Sequence, residues 1–432
     1  MTTKPPGVEA DPPPFPRIFF IANGLELLER LAFYGVYINL SVYLIDTVKM
    51  ADVATGNLLG LFAIGRAWLP VPIGALADRI GFRRSLVIAF ALYAAAYAIL
   101  YAVTTQGGAY AAIFGMSLGG AFLKPVISGC VKRYSPPGRE TQGFAIFYTT
   151  VNAGSVIGKV LAKLVRTALS LRASMLSSVA ACLLALCLTL AFFYPPGEQA
   201  QGAVRGPGAP SPPLFTRSSN AAPSQTWAAV EGALTNGRLV AFLVVVSSYY
   251  LLIEQFYQTF PVYIVRSFGN GVPREYITLV NPLCIALFQM LVVRATRGLS
   301  PLISMAAGIF IAGTSMAIMG AVPSLYGAAA SFFIFALAEM VYSPRYYAYV
   351  SSFAPKGQEG LYMGIALIPS GLGGLAGGIL SGRLIAAYLP AQGPRSPLTV
   401  WGTYALIGFA CGLLMLGYRA IVGEPKPLST PV

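Results

Sequence analysis

The chain contains no histidine, and only 10% of its 432 residues are charged. The first absence removes histidine general-base catalysis, histidine metal ligands and a histidine proton relay. The second removes a water-soluble globular enzyme: soluble domains carry about 25% charged residues, and 15 acids with 29 bases cannot coat a soluble surface of this size. A hydrophobic share of 56% equally excludes a disordered chain. The alternating segments of about ten residues that build an outer-membrane barrel are missing. Long unbroken apolar runs, such as 86–103 and 405–416, take their place. Cysteine is sparse too. Cys130, Cys182, Cys187, Cys284 and Cys411 fit no metal-site spacing and read as core residues in apolar segments. HExxH is impossible without histidine and no metal-ligand cluster stands out, so no catalytic residue, metal or cofactor is expected.

What is present is an all-α integral membrane protein. A span needs about 20 apolar residues. Twelve candidates follow one another at 17–45, 54–77, 84–105, 108–131, 142–168, 173–194, 238–266, 275–296, 299–321, 326–353, 358–388 and 397–419. Pro70, Pro72, Pro125, Pro282, Pro344 and Pro369 lie inside them and predict bent or broken helices. A Pro-, Gly- and Ser-rich stretch at 196–237 reads as a flexible cytoplasmic linker. It separates a six-helix bundle at 17–195 from a second at 238–420, with a disordered tail at 1–16 and a C-terminal tail at 421–432. The tail before the first span lacks the basic and short apolar regions of a cleaved signal, so that span is expected to remain as an anchor. The net charge of +14 comes from bases scattered at span ends, a pattern of membrane orientation and not of nucleic-acid binding. With the N-terminus inside, sixteen lysines and arginines fall in inner segments and eight in outer ones. Both termini are therefore expected in the cytoplasm, in a multi-pass protein of the cell (inner) membrane.

The informative residues are the charges within spans: Glu26, Glu29, Glu254 and Glu339, with Arg30, Arg66, Lys124, Lys159 and Arg345. A charge at bilayer depth costs at least about 2.5 kcal/mol on insertion scales and normally faces water or another charge. Structural salt bridges between helices are one reading, and a polar transport cavity with titratable acids is the other. Helical spacing favours the cavity. Glu26, Arg30, Phe33, Tyr34 and Tyr37 share one face, and Glu29 lies beside it. Tyr148, Asn152, Ser155 and Lys159 follow a second stripe, Tyr250, Glu254, Tyr257 and Gln258 a third, and Glu339, Tyr342 and Ser343 a fourth. Stripes made only for packing would be small or apolar.

The run 74–84, GALADRIGFRR, resembles the signature loop of the major facilitator superfamily, with Gly74, Asp78, Arg79, Gly81, Arg83 and Arg84 in matching places. The resemblance implies two six-helix halves that rock about a central site, with this loop in a gating or conformational role. Further segments resemble the proton-dependent oligopeptide transporter family. They are ELLERLAFYG at 26–35, GGAFLKP at 119–125, FYTTVNAGS at 147–155, the pair Glu254–Gln255, the pair Asn281–Pro282 and EMVYSP at 339–344.

That second resemblance implies that Arg30, Tyr34 and Lys124 hold a peptide carboxylate and that Asn152, Asn281 and Glu339 hold its amino group. It implies a proton-linked network of Glu26 and Glu29 with Arg30 and Lys124, and a coupling proton on Glu254. The expected activity is proton-coupled symport of di- and tripeptides by alternating access. The expected partners are small peptides, protons and the lipid bilayer, in a monomer. Lys159 stands where family members commonly carry proline, and with Arg66 and Arg345 it adds cavity charge that makes an acidic ligand more plausible. Import or export of another organic anion or a drug-like molecule, a membrane enzyme and a non-transporting receptor are the alternatives.

Overall fold

A computed structural model describes residues 13–136, 139–195, 232, 235–354, 362 and 364–423, without the side chains at 75, 78, 140 and 141. Most of the expected tail at 1–16, the linker at 196–237 and the tail at 421–432 therefore lie outside the described residues. The described residues form helices and no strands, as a low-dielectric surround requires for an open chain. The first half holds α1 (Arg17–Val42), α2 (Asp52–Trp68), α3 (Pro70–Ile80), α4 (Phe82–Ala102), α5 (Gln106–Tyr134), α6 (Glu140–Ala168) and α7 (Ser174–Phe192). The second holds α8 (Gly237–Gln258), α9 (Phe260–Phe268), α10 (Arg274–Ile277), α11 (Val280–Ala295), α12 (Pro301–Ala321), α13 (Leu325–Ser351), α14 (Ile368–Tyr388) and α15 (Pro397–Val422).

Three expected spans are broken in two, and proline accounts for each break. Pro70 opens α3 behind a turn at Leu69, and Pro261 sits at the start of α9 behind Thr259. Pro282, in the first turn of α11, follows the gap that separates it from α10. Proline has no N–H to give the preceding turn, so the ladder restarts there. Pro125 and Pro344 are instead carried inside α5 and α13. Among the described residues nine helices are long and apolar enough to cross a membrane. α1 is not among them because Glu26, Glu29 and Arg30 crowd its middle, although most of that helix is buried in protein.

Each half has its own apolar core. Phe19, Tyr37, Phe62, Phe90 and Met116 belong to the first; Phe242, Phe260, Met305, Trp401 and Tyr404 belong to the second. Cys130, Cys182 and Cys284 are buried as expected, but Cys187 is on the exposed face of α7. The halves meet along α2 and α14. A Cβ on Gly378 would lie 2.5 Å from the carbonyl oxygen of Gly56, so only glycine permits this approach. Small residues are the usual means of bringing helices together where the surroundings are already apolar. Gly378→Ala is expected to cost about 1–3 kcal/mol through overpacking, read as a lower thermal midpoint in detergent. Gly402→Ala, where an added Cβ meets nothing within 4 Å, is the matched control and should leave the midpoint unchanged.

Candidate functional site

On α1 the spacing of four places Glu26 and Arg30 side by side, Nε to Oε1 3.1 Å, and Arg30 also pairs with Glu29. All three side chains are buried, so one guanidinium is shared between two carboxylates. Arg30 additionally lies 5.3 Å from the Phe33 ring centre, a cation–π contact. Glu26, Arg30 and Lys124 line a recess of about 250 Å³ with Ser128, Phe147, Tyr148 and Val151. Lys124 is exposed there, and Tyr148 is 65% exposed, so the recess admits water at the end of the molecule where α1 begins.

Val151 is common to this recess and to a second cavity of about 280 Å³ between the two halves. Tyr34, Tyr37, Arg66, Asn152, Ser155 and Lys159 line it from the first half. Tyr250, Glu254, Tyr257, Asn281 and Glu339 line it from the second. Arg66 Nη2 donates to Glu254 Oε1 at 2.6 Å, and the Tyr37 hydroxyl donates to the other oxygen of the same carboxylate. Glu254 is thus tied to α1 and α2 from the opposite half. The Arg66 guanidinium also sits 5.2 Å from the ring centre of Tyr37 and 5.5 Å from that of Phe33. Such packing suits a weakly hydrated planar cation.

Asn281 Nδ2 donates to Glu339 Oε2 at 3.3 Å, while the Asn152 amide donates to its own helix at Tyr148 O, 3.0 Å. Lys159, 2% exposed, reaches Thr278 O at 3.4 Å from Nζ and lies 5.3 Å and 5.7 Å from the ring centres of Tyr34 and Tyr257. The expected stripes are therefore only partly cavity lining. Tyr342 stacks on Tyr249 with centroids 3.9 Å apart, and Gln258 is buried outside the cavity walls. Arg345 is a correction. It is not a cavity charge, because its Nη2 binds Thr296 O at 3.0 Å and Thr296 Oγ1 at 3.1 Å at the C-terminal end of α11, where carbonyls lack helical partners.

The loop residues sit at the α3–α4 corner. Gly81 makes the turn with a φ of 92°, a conformation suited to glycine. Gly74 lets α3 pack against Pro125 of α5, Arg79 is exposed, and Arg83 donates to Leu190 O at 2.8 Å. The Asp78 side chain is outside the described residues.

A second polar assembly had no expectation attached to it. At the end where α1 terminates, Arg166 grips Glu275 with both arms, Nε–Oε1 2.6 Å and Nη2–Oε2 2.9 Å. Asn39 donates to Glu275 Oε1 at 3.1 Å and accepts from Arg274 Nε at 2.8 Å. Arg266 holds Asp52 at 2.7 Å and 2.9 Å. Every one of these contacts joins one half to the other, closing this end of the cavity. The signal available beforehand was the pair Arg274–Glu275 next to a short apolar run; the loop arginines were counted only for orientation.

The profile of the Major Facilitator Superfamily matches residues 25–378. The chain belongs to the major facilitator superfamily. This facilitator is 22% identical over 395 residues to the multidrug resistance protein MdtH of Salmonella typhimurium, covering 91% of the chain and 92% of that protein. Its fold resembles a POT family transporter solved with a thioalcohol-conjugated peptide, with a TM-score of 0.75 at 19% identity, covering 95% of this chain and 97% of that one. It also resembles a mutant of the nucleoside transporter NupG, with a TM-score of 0.78 at 14% identity, covering 93% and 100%. The facilitator is an integral membrane transport protein of two six-helix bundles, as the sequence led one to expect.

Proposed function

We propose that this facilitator is a proton-coupled symporter that imports di- and tripeptides by alternating access, with both termini in the cytoplasm of a cell carrying it in its inner membrane. The observation that carries the reading is Glu254, held by Arg66 and Tyr37 of the opposite half inside the cavity that also contains Lys159, Asn281 and Glu339. A zwitterionic peptide needs a cation at one end, a carboxylate at the other and amides between, and these walls offer all three. Arg30, Tyr34 and Lys124 take the carboxylate in this reading, and Asn152, Asn281 and Glu339 the amino group.

Coupling then follows from charge. Desolvation favours a neutral carboxyl, and an adjacent guanidinium favours the anion. A proton on Glu254 removes the attraction that ties Arg66 across the seam, which frees the halves to part. In the recess, a substrate carboxylate that takes Arg30 or Lys124 releases Glu26 or Glu29 to accept a proton. One charge moved through 100 mV supplies about 2.3 kcal/mol, enough for roughly 50-fold accumulation. The test is uptake of labelled di- and tripeptides by proteoliposomes under an imposed pH gradient; no uptake above empty vesicles ends the reading. Lys124→Ala should lower gradient-driven uptake at least about tenfold, the worth of one charged hydrogen bond. Wild-type rates in that variant would reassign Lys124 to structure.

A drug-like cargo is the second reading. Tyr34, Tyr250, Phe256, Tyr257 and Phe332 give the same cavity a strongly aromatic lining, which favours it. Competition against labelled peptide by an amphipathic cation, compared with unlabelled peptide, separates the two.

A further inference from the structure

The charges lining the central cavity are not equally engaged. Arg66 is closed on Glu254. In the neighbouring recess Arg30 is closed on Glu26 and Glu29. Lys159 differs. Among the described bases of the central cavity it is the one with no carboxylate within 4.0 Å. Its single hydrogen bond goes to a backbone carbonyl at 3.4 Å, the long end of the range, and an ammonium has three N–H donors. The rings of Tyr34 and Tyr257 stand on it as walls. On the opposite side of the seam Glu339 is likewise outside ion-pair distance of any described base; it accepts from the Asn281 amide and is attracted across the cavity to Lys159. A buried cation left this way is expensive unless an anion completes it.

We infer that Lys159 is the receptor for a carboxylate carried on the side chain of the substrate, so that the preferred cargo is a short peptide whose N-terminal residue is acidic. In such a peptide the amino group and the side-chain carboxylate leave the same residue. The first meets Glu339 and Asn281 from α13 and α11; the second meets Lys159 from α6, beside the rings of Tyr34 and Tyr257. The C-terminal carboxylate is then directed past Val151 toward the recess that holds Arg30 and Lys124. The inference rests on the peptide-transport reading and adds the side-chain class to it.

The experiment compares uptake of Glu-Ala, Ala-Ala and Lys-Ala into proteoliposomes by the full chain, the wild type beside Lys159→Met and Lys159→Arg. The wild type should take up Glu-Ala at least tenfold better than Ala-Ala at subsaturating concentration, with Lys-Ala the poorest. Lys159→Met should bring the Glu-Ala to Ala-Ala ratio to about one, and Lys159→Arg should keep it well above one. Reading a ratio within each variant removes differences in folding and incorporation, and Lys159→Arg guards against a variant that does not insert. Uptake of Ala-Ala with no preference for Glu-Ala in the wild type overturns the inference and leaves peptide transport standing. An unaltered ratio in Lys159→Met overturns it as well. Failure of all three peptides overturns both.

Discussion

Glu254→Gln is expected to abolish accumulation driven by a pH gradient while measurable exchange of peptide across the vesicle membrane persists. Glutamine keeps the shape: its one carbonyl oxygen can accept from Arg66 while its amide N–H donates to the Tyr37 hydroxyl oxygen, but it never carries the negative charge that holds Arg66 across the seam at 2.6 Å. The variant therefore resembles the protonated carrier at every pH. It can open and close with substrate, yet it has no proton to take on one side and release on the other. The wild type should concentrate substrate several tens of fold at 100 mV, and the variant should reach only equal concentrations inside and out. Entrance counterflow and gradient-driven uptake, measured on the same vesicles, check the two halves of the statement. Concentrative uptake by Glu254→Gln would move the coupling proton to the Glu26–Glu29 recess.

The second large effect is expected from Glu275→Ala. Glu275 is fully buried, and its carboxylate takes both arms of Arg166 together with the amide of Asn39. Removing it leaves Arg166 with only the carbonyls of Asn270 and Val272, and leaves Asp46 as the remaining acid acting on the buried Arg274. Breaking a buried pair in this way typically costs about 3–5 kcal/mol, because the remaining charge is uncompensated. That cost falls on the closed end only, since Arg166 and Glu275 belong to opposite halves. A shift of 3–5 kcal/mol changes a two-state ratio by more than a hundredfold, enough to make the opposite opening dominant. Spin labels at Lys49 and Asn270, in a background with the five native cysteines replaced by alanine, should move apart at this end in Glu275→Ala. Unchanged label distances would show that the Arg166–Glu275 pair does not hold this end shut and would leave that role to Arg266–Asp52 and the α2–α14 glycine contact.

Much of the fold was legible beforehand because the bilayer makes hydropathy decisive. Twelve apolar stretches and the division into two halves follow from length and composition alone. The breaks at Leu69 and Thr278 were visible only as Pro70 and Pro282, and the one at Thr259, ahead of Pro261, was not read at all, since hydropathy runs straight through them. The charged residues within spans were equally plain, and Glu254, Lys159, Asn281 and Glu339 do line one cavity. Arg345 failed because its position on a cavity-bearing helix says nothing about which way its side chain turns. The closing assembly around Glu275 was missed for the opposite reason: its arginines look like ordinary loop charges until the other half is laid against them.

Sequence alone determined that this is a helical membrane protein with acids and bases where lipid forbids them, and it told which of them share a helix face. Periodicity relates residues three and four apart, so it could link Glu26 to Arg30. It could not link Arg66 to Glu254, 188 residues away, or Arg166 to Glu275, 109 residues away. Those pairings depend on the rotation and tilt of each helix against another, which only packing between helices sets. That packing decided which charges neutralise one another, which end of the cavity is shut, and which cavity cation, Lys159, is left without an ion pair among the described residues.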